Sequence, residues 1–142
     1  MMRLLSGIVI GVVATACMTA WELPFYRRYG REGCLDWDIN QHLVGRVNGK
    51  PPSANLAAGL VVHVVVGVVV GVGFVLCPWS GPRATGIGVA LGVLLWMMLL
   101  ALRKPITGLG PTDGRLGIRP AWISLVGHIV YGAVLGVLIQ ML

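Results

Sequence analysis

The sequence predicts an all-α, polytopic membrane protein of four transmembrane helices built from a duplicated helical hairpin, and three observations predict it. Of 142 residues, 56% are hydrophobic and 11% charged, with a mean hydropathy of +0.84. A soluble domain carries about 25% charged residues, so the apolar surface here exceeds what one water-soluble core can hide. Four apolar stretches reach the roughly 20 residues that a hydrocarbon core about 30 Å thick demands of a crossing helix. Glycines and histidines also recur at matching spacings in two halves of the chain. Residues 1–142 are therefore expected to form a single transmembrane domain.

The helices are expected at about 4–21, 54–79, 84–102 and 121–142. The first has some features of a secretory signal, with Met1-Met2-Arg3 ahead of an apolar run and Ala14-Thr15-Ala16-Cys17 as small residues near its end. The spacings it shares with the third helix mark it instead as a permanent member of the bundle. The second is so rich in valine that β-propensity alone reads it as strand. Its length without a turn signal decides otherwise, because a spanning helix satisfies its own backbone in lipid, where each unpaired group costs several kcal/mol. In the loop after the third helix, Pro105, Gly108, Gly110, Pro111, Asp113 and Gly114 mark tight turns, and Pro120 stands where the fourth helix begins.

The repeat joins residues 1–79 to residues 80–142. A shift of 81 positions lays Gly7 on Gly88, Gly11 on Gly92 and Pro24 on Pro105, and a shift of 65 lays His63, Gly67 and Gly71 on His128, Gly132 and Gly136. Both copies then point the same way through the membrane, a parallel repeat about an axis along the membrane normal.

Each helix carries small or polar residues four apart, which stack along one face. They are Gly7, Gly11, Thr15 and Thr19; Asn55, Gly59, His63, Gly67 and Gly71; Ala84, Gly88 and Gly92, ending against Trp96; and Ser124, His128, Gly132, Gly136 and Gln140. Apolar association gains little in lipid, so such faces are expected to pack inward with Val, Leu, Ile and Met toward the acyl chains.

Net charge is +6 and the pI about 9.9, but the basic residues lie in loops, which excludes a nucleic-acid-binding arm or helix. Arg27, Arg28, Arg31, Arg46, Lys50, Arg103, Lys104, Arg115 and Arg119 fall on one side and Arg3 and Arg83 on the other. Lys and Arg accumulate in cytoplasmic loops, so loops 22–53 and 103–120 are expected inside the inner (cytoplasmic) membrane and both termini outside.

His63 and His128 lie at equivalent repeat positions, both roughly 10 to 14 Å from the cytoplasmic ends of their helices at 1.5 Å per residue. An ionisable group inside a membrane marks a functional site by default. Several roles stay open: a structural hydrogen bond between helices, paired axial ligation of a b-type haem, a transition-metal site, or a proton track with Thr15, Tyr131 and Gln140. If the ladders of the second and fourth helices touch, only a hydrogen bond or small ion fits between the rings; if they back onto the first and third, a haem has room.

The long loop gathers Cys34, Asp36, Asp38 and His42, a ligand-like set at no standard zinc spacing. A solvated loop with a short amphipathic turn, Trp37 and Leu43 dipping into the interface, is the expectation. Glu22 closes the expected first helix, where a carboxylate opposes the helix dipole unless Arg27 or Arg103 pairs with it. Catalysis finds little support: there is no phosphate-binding glycine loop, nucleophile elbow or HExxH, and the three cysteines form neither a CxxC nor a disulfide framework.

Gly11-Val-Val-Ala14-Thr15-Ala-Cys-Met18-Thr19, Trp21-Glu22-Leu-Pro24 and His128-Ile-Val-Tyr131-Gly132-Ala-Val-Leu-Gly136 resemble small bacterial four-helix inner-membrane proteins of the YagU type. That resemblance implies an integral membrane protein and supplies no activity. The predicted function is an integral membrane binding or accessory subunit of a larger membrane assembly or homo-oligomer, partnered by lipid and by other membrane subunits or itself. The alternative is a haem-binding or metal-binding electron-transfer protein, or a small proton or ion transporter, using His63 and His128.

Overall fold

A computed structural model describes residues 2–79 and 81–141 of the chain. Met1 of the basic start, Ser80 near the head of the second repeat unit and Leu142, the expected end of the fourth helix, lie outside the described residues. Among the described residues five α-helices are present: α1 (Met2–Tyr29), α2 (Leu35–Asn48), α3 (Leu56–Leu76), α4 (Arg83–Thr107) and α5 (Arg119–Ile139). Short 3-10 turns at Gly30–Gly33 and Pro52–Asn55 precede α2 and α3, and no strand occurs among the described residues. Four of the helices, all but α2, are long and apolar enough to cross a bilayer. The chain is an all-helical, multi-pass membrane protein.

The valine-rich segment is helical throughout Leu56–Leu76, as backbone satisfaction in lipid requires. The first helix runs past its expected end at residue 21 and carries Glu22 and Pro24 inside it to Tyr29. Proline early in this extension removes one backbone donor without ending a helix already anchored over several turns. Similarly α4 continues through Pro105 to Thr107 and stops at Gly108, whose left-handed φ of 80° lets its N–H cap the Lys104 carbonyl at 2.9 Å.

The main correction concerns residues 22–53. In place of a solvated loop, the chain turns back at Gly30 (φ 67°) and forms α2, which packs under the bundle against α3, α4 and α5. Residues Gly33 to Ile39 are all buried. Trp37, expected at the interface, is buried and lies against the Tyr26 ring at a centroid distance of 4.7 Å. Leu35, Ile39 and Leu43 recur every four residues, the spacing of a helix face. Two faces of α2 are nonetheless covered, because the bundle end closes over both.

Helix pairing follows the small residues. The strongest associations are α1 with α3 and α4 with α5, joined across the centre by α1 with α5, while α3 and α4 share almost no contact. A Cβ on Gly71 would lie 2.6 Å from the Gly11 Cα, and one on Gly7 would lie 2.7 Å from the Val72 Cα. In the other pair, Gly88 and Gly132 each face the other's carbonyl, Gly92 faces the His128 carbonyl, and Gly136 faces Ala84 and Thr85. Gly59 instead faces Gln41 of α2. Gly11 opposes the Gly67 carbonyl just as Gly88 opposes that of Gly132, so the α4–α5 register lies one turn away from the match of Gly11 with Gly92.

Ile10, Ala14, Met18, Phe74, Val75, Tyr131 and Leu135 fill the core between the two pairs. The indole N–H groups of Trp21 and Trp96 donate to the carbonyls of Ile123 (3.0 Å) and Ala121 (2.9 Å), holding the first turn of α5 between α1 and α4. Arg103, considered above as a partner for Glu22, donates to the carbonyls of Gly110 and Pro111, both at 2.8 Å, and ties down the α4–α5 loop. Arg27, the other candidate, is exposed.

Candidate functional site

Because each glycine ladder is filled by its own partner helix, α3 and α4 stand apart and leave a cavity of about 240 Å³ between them. Its walls are largely aliphatic, among them Val66, Leu95 and Leu99, and its polar lining is Thr15, Asp36, Asn40, His63, His128 and Tyr131. The two histidines are buried, at 7% and 6% exposure, and line this one space. Both hydroxyls are committed to backbone: that of Thr15 donates to the Gly11 carbonyl at 2.8 Å and that of Tyr131 to the Gly67 carbonyl at 2.6 Å.

Asp36 reaches the site from the first turn of α2. The Ser124 hydroxyl donates to its Oδ2 at 2.7 Å, and its Oδ1 lies 3.5 Å from His128 Nε2. His128 Nδ1 is 2.9 Å from the Ser124 carbonyl. A carbonyl only accepts, so Nδ1 carries the hydrogen and Nε2 is turned toward Asp36. His63 Nε2 is buried and has no hydrogen-bond partner.

Glu22 sits behind Asp36. It is fully buried, and neither carboxyl oxygen has a hydrogen-bond partner. Asp36 and the Trp37 indole are close enough to act on its charge but lie outside hydrogen-bond geometry. A side chain at Gly127 would come within 3.2 Å of Glu22 Oε1, so glycine there makes room for the carboxyl. The Cys34 thiol donates to the Glu22 backbone carbonyl at 3.3 Å. Burial pushes this thiol well above the usual range, with the Glu22 and Asp36 carboxyls adding to the effect.

The loop set Cys34, Asp36, Asp38 and His42 does not converge. Asp36 turns into the bundle, Cys34 lies beneath α1, and Asp38 faces Arg31 Nε at 2.7 Å and His42 Nδ1 at 3.3 Å. Burial raises Asp38 from the ordinary aspartate range, and the His42 and Arg31 charges oppose that rise without cancelling it. Among the described residues no group of three or more His, Cys, Asp or Glu side chains is placed to hold a metal ion. What sequence reasoning missed is the junction of Glu22, Asp36 and Ser124, which come from three separate helices. The only local signal was the uninterrupted helical run that carries Asp36.

No curated protein and no solved structure matches the chain, and nothing in the comparisons supports the YagU-type resemblance. Over residues 1–142 the sequence matches the profile of the Family of unknown function (DUF6789), and the chain belongs to that family.

Proposed function

We propose that this protein is an intramembrane binding protein whose cavity takes a lipid-soluble molecule with a polar head, held at His63, Asp36 and His128 and admitted sideways between α3 and α4. The observation that carries this reading is the largely aliphatic cavity between two helices that do not pack on each other, with an unpartnered, buried His63 Nε2 in a residue that lines it. Ligand sites are commonly apolar clefts with a few convergent polar groups, of about 300–1,000 Å³ for drug-sized molecules. A cavity of about 240 Å³ suits a head group and the first part of a tail whose remainder lies among lipid.

The protein acts in this reading as a subunit of a larger inner-membrane assembly or of a homo-oligomer, with loops 22–53 and 103–120 cytoplasmic. The nine-to-two distribution of basic residues supports that orientation. The analogous packing of Gly11 on Gly67 and of Gly88 on Gly132 supports descent from a duplicated hairpin, with one copy slid by a helical turn.

A second reading, a b-type haem or a metal between the imidazoles, is favoured by their sharing one cavity while each ladder backs onto α1 or α4. The Asp36 carboxyl stands against it, since it lies 3.5 Å from the His128 nitrogen that iron would need. The test is native mass spectrometry of protein released from its own membranes, together with its visible spectrum. A retained amphiphile distinct from bulk phospholipid, lost on His63→Leu, is the expected result. A Soret band lost with either histidine replaces the reading with haem, and a protein carrying only bulk lipid contradicts both.

A further inference from the structure

A second recess lies where α1 gives way to α2. It is an open cleft of about 410 Å³, walled by Tyr26, Tyr29, Arg31, Glu32, Gln41 and Ser53, and none of these residues lines the intramembrane cavity. The sequence sets its level. The apolar run of α1 ends at Trp21 while the helix continues to Tyr29, so at 1.5 Å per residue Tyr26 and Tyr29 stand about 7 to 12 Å beyond that end. Headgroups occupy roughly 5 to 8 Å on each side of the hydrocarbon core. The cleft therefore opens at the height of lipid phosphates and of the water beyond them.

Its walls are rich in donors. Gln41 is 1% exposed and packs on Gly59 of α3, yet its amide nitrogen has no hydrogen-bond partner among the described residues. A buried donor left unpaired is costly until an acceptor meets it. Arg31 is anchored through Nε, 2.7 Å from Asp38 Oδ1, and its side chain is still 35% exposed. The guanidinium fork has two further amino groups, so Asp38 fixes the side chain without using up its donors. The hydroxyls of Tyr26, Tyr29 and Ser53 donate as well as accept.

Charge points the same way. Arg28 lies over the Tyr29 ring, 5.4 Å from its centroid, which brings a second guanidinium to the rim. The one carboxyl among the lining residues, Glu32, is exposed and lies 3.9 Å from Arg115 Nε. A cationic ligand would meet Arg28 and Arg31, and an apolar one would leave the Gln41 donor unpaired. An oxyanion satisfies both, and the planar fork of arginine matches its geometry.

We propose that this cleft is a binding site for a phosphate oxyanion, held by the Arg31 fork and the Gln41 amide, with the Ser53 and tyrosine hydroxyls around it. An anionic phospholipid headgroup and a dissolved phosphate compound present the same group. The site is independent of the intramembrane cavity and of what that cavity holds.

The experiment uses the full chain in neutral detergent micelles. Phosphatidylglycerol and diacylglycerol of matched acyl chains are added together and read by native mass spectrometry, and inorganic phosphate is titrated calorimetrically into lipid-free micelles. The expected result is retention of about one equivalent of phosphatidylglycerol, favoured about fivefold or more over diacylglycerol. Saturable binding of inorganic phosphate without that preference assigns the same site to dissolved phosphate compounds. Arg31→Gln and Gln41→Met each weaken whichever ligand binds by about tenfold. Gln41→Met also keeps the wild-type melting temperature, because the donor it removes has no partner in the protein. Arg27→Gln, exposed at the same end of α1 but outside the cleft, leaves binding unchanged. A thermally intact protein that neither prefers phosphatidylglycerol nor binds phosphate overturns the proposal. Equal losses with Arg27→Gln and Arg31→Gln, or wild-type binding by Gln41→Met, also overturn it, since diffuse surface charge then explains the affinity.

Discussion

Glu22 is a carboxyl that a sequence reader places at a helix end and the fold places in its interior. Its neighbours Asp36, Trp37 and Cys34 all come from the chain segment that turns back beneath the bundle. Cys34 reports on that burial independently. The reactive species of cysteine is the thiolate, and burial beside two carboxyls raises this thiol's pKa. Moving the pH up through the ordinary thiol range near about 8.5 therefore leaves it neutral in the folded protein. Maleimide is expected to modify Cys34 only after unfolding, whereas Cys77, exposed at the opposite end of α3, reacts in the native state. The impermeant reagent added to intact cells reaches Cys77 if the termini lie outside. Labelling of Cys34 as fast as Cys77 in folded protein contradicts the buried acid cluster, and protection of Cys77 in cells reverses the orientation.

At the scale of elements, the glycine ladders decide which helices meet. A leucine at Gly88 drives a side chain into the Gly132 carbonyl, whereas a Cβ placed on Gly86, two residues away on the same helix, would meet nothing within 4 Å. Overpacking costs about 1–3 kcal/mol, so Gly88→Leu is expected to lower stability by that amount in a reversible denaturation in mixed micelles. Gly86→Leu stays within about 0.5 kcal/mol of wild type, and equal effects at the two sites contradict the assigned faces. These spanning elements were legible because lipid imposes length and apolar composition directly on sequence. Their ends were less so: the first and third helices were expected to stop at about residues 21 and 102, yet both continue, with Pro24 and Pro105 inside them. α2 was missed for a different reason. Its Asp, Asn, Gln and His side chains read as solvated, and only tertiary contacts with Ser124 and Gly59 reveal the burial of Asp36 and Gln41.

For the whole molecule, two tightly joined helix pairs meet through α1 and α5, and the space they leave between α3 and α4 is the proposed binding site. His63 and His128 could be chosen from sequence because titratable rings are rare among valines and glycines. The acidic half of the site could not, since Glu22 and Asp36 come from separate helices and meet only when α2 folds under. The central claim is that lipid-soluble molecules reach this cavity from the side. The measurement that tests it most directly is photolabelling in nanodiscs with a diazirine-bearing long-chain alcohol, followed by peptide mapping. The account predicts saturable labels on Val66 of α3 and Leu99 of α4, both lining the cavity, suppressed by unlabelled dodecanol. Labels spread evenly over lipid-facing residues such as Val69 and Leu94, with no competition, would contradict it.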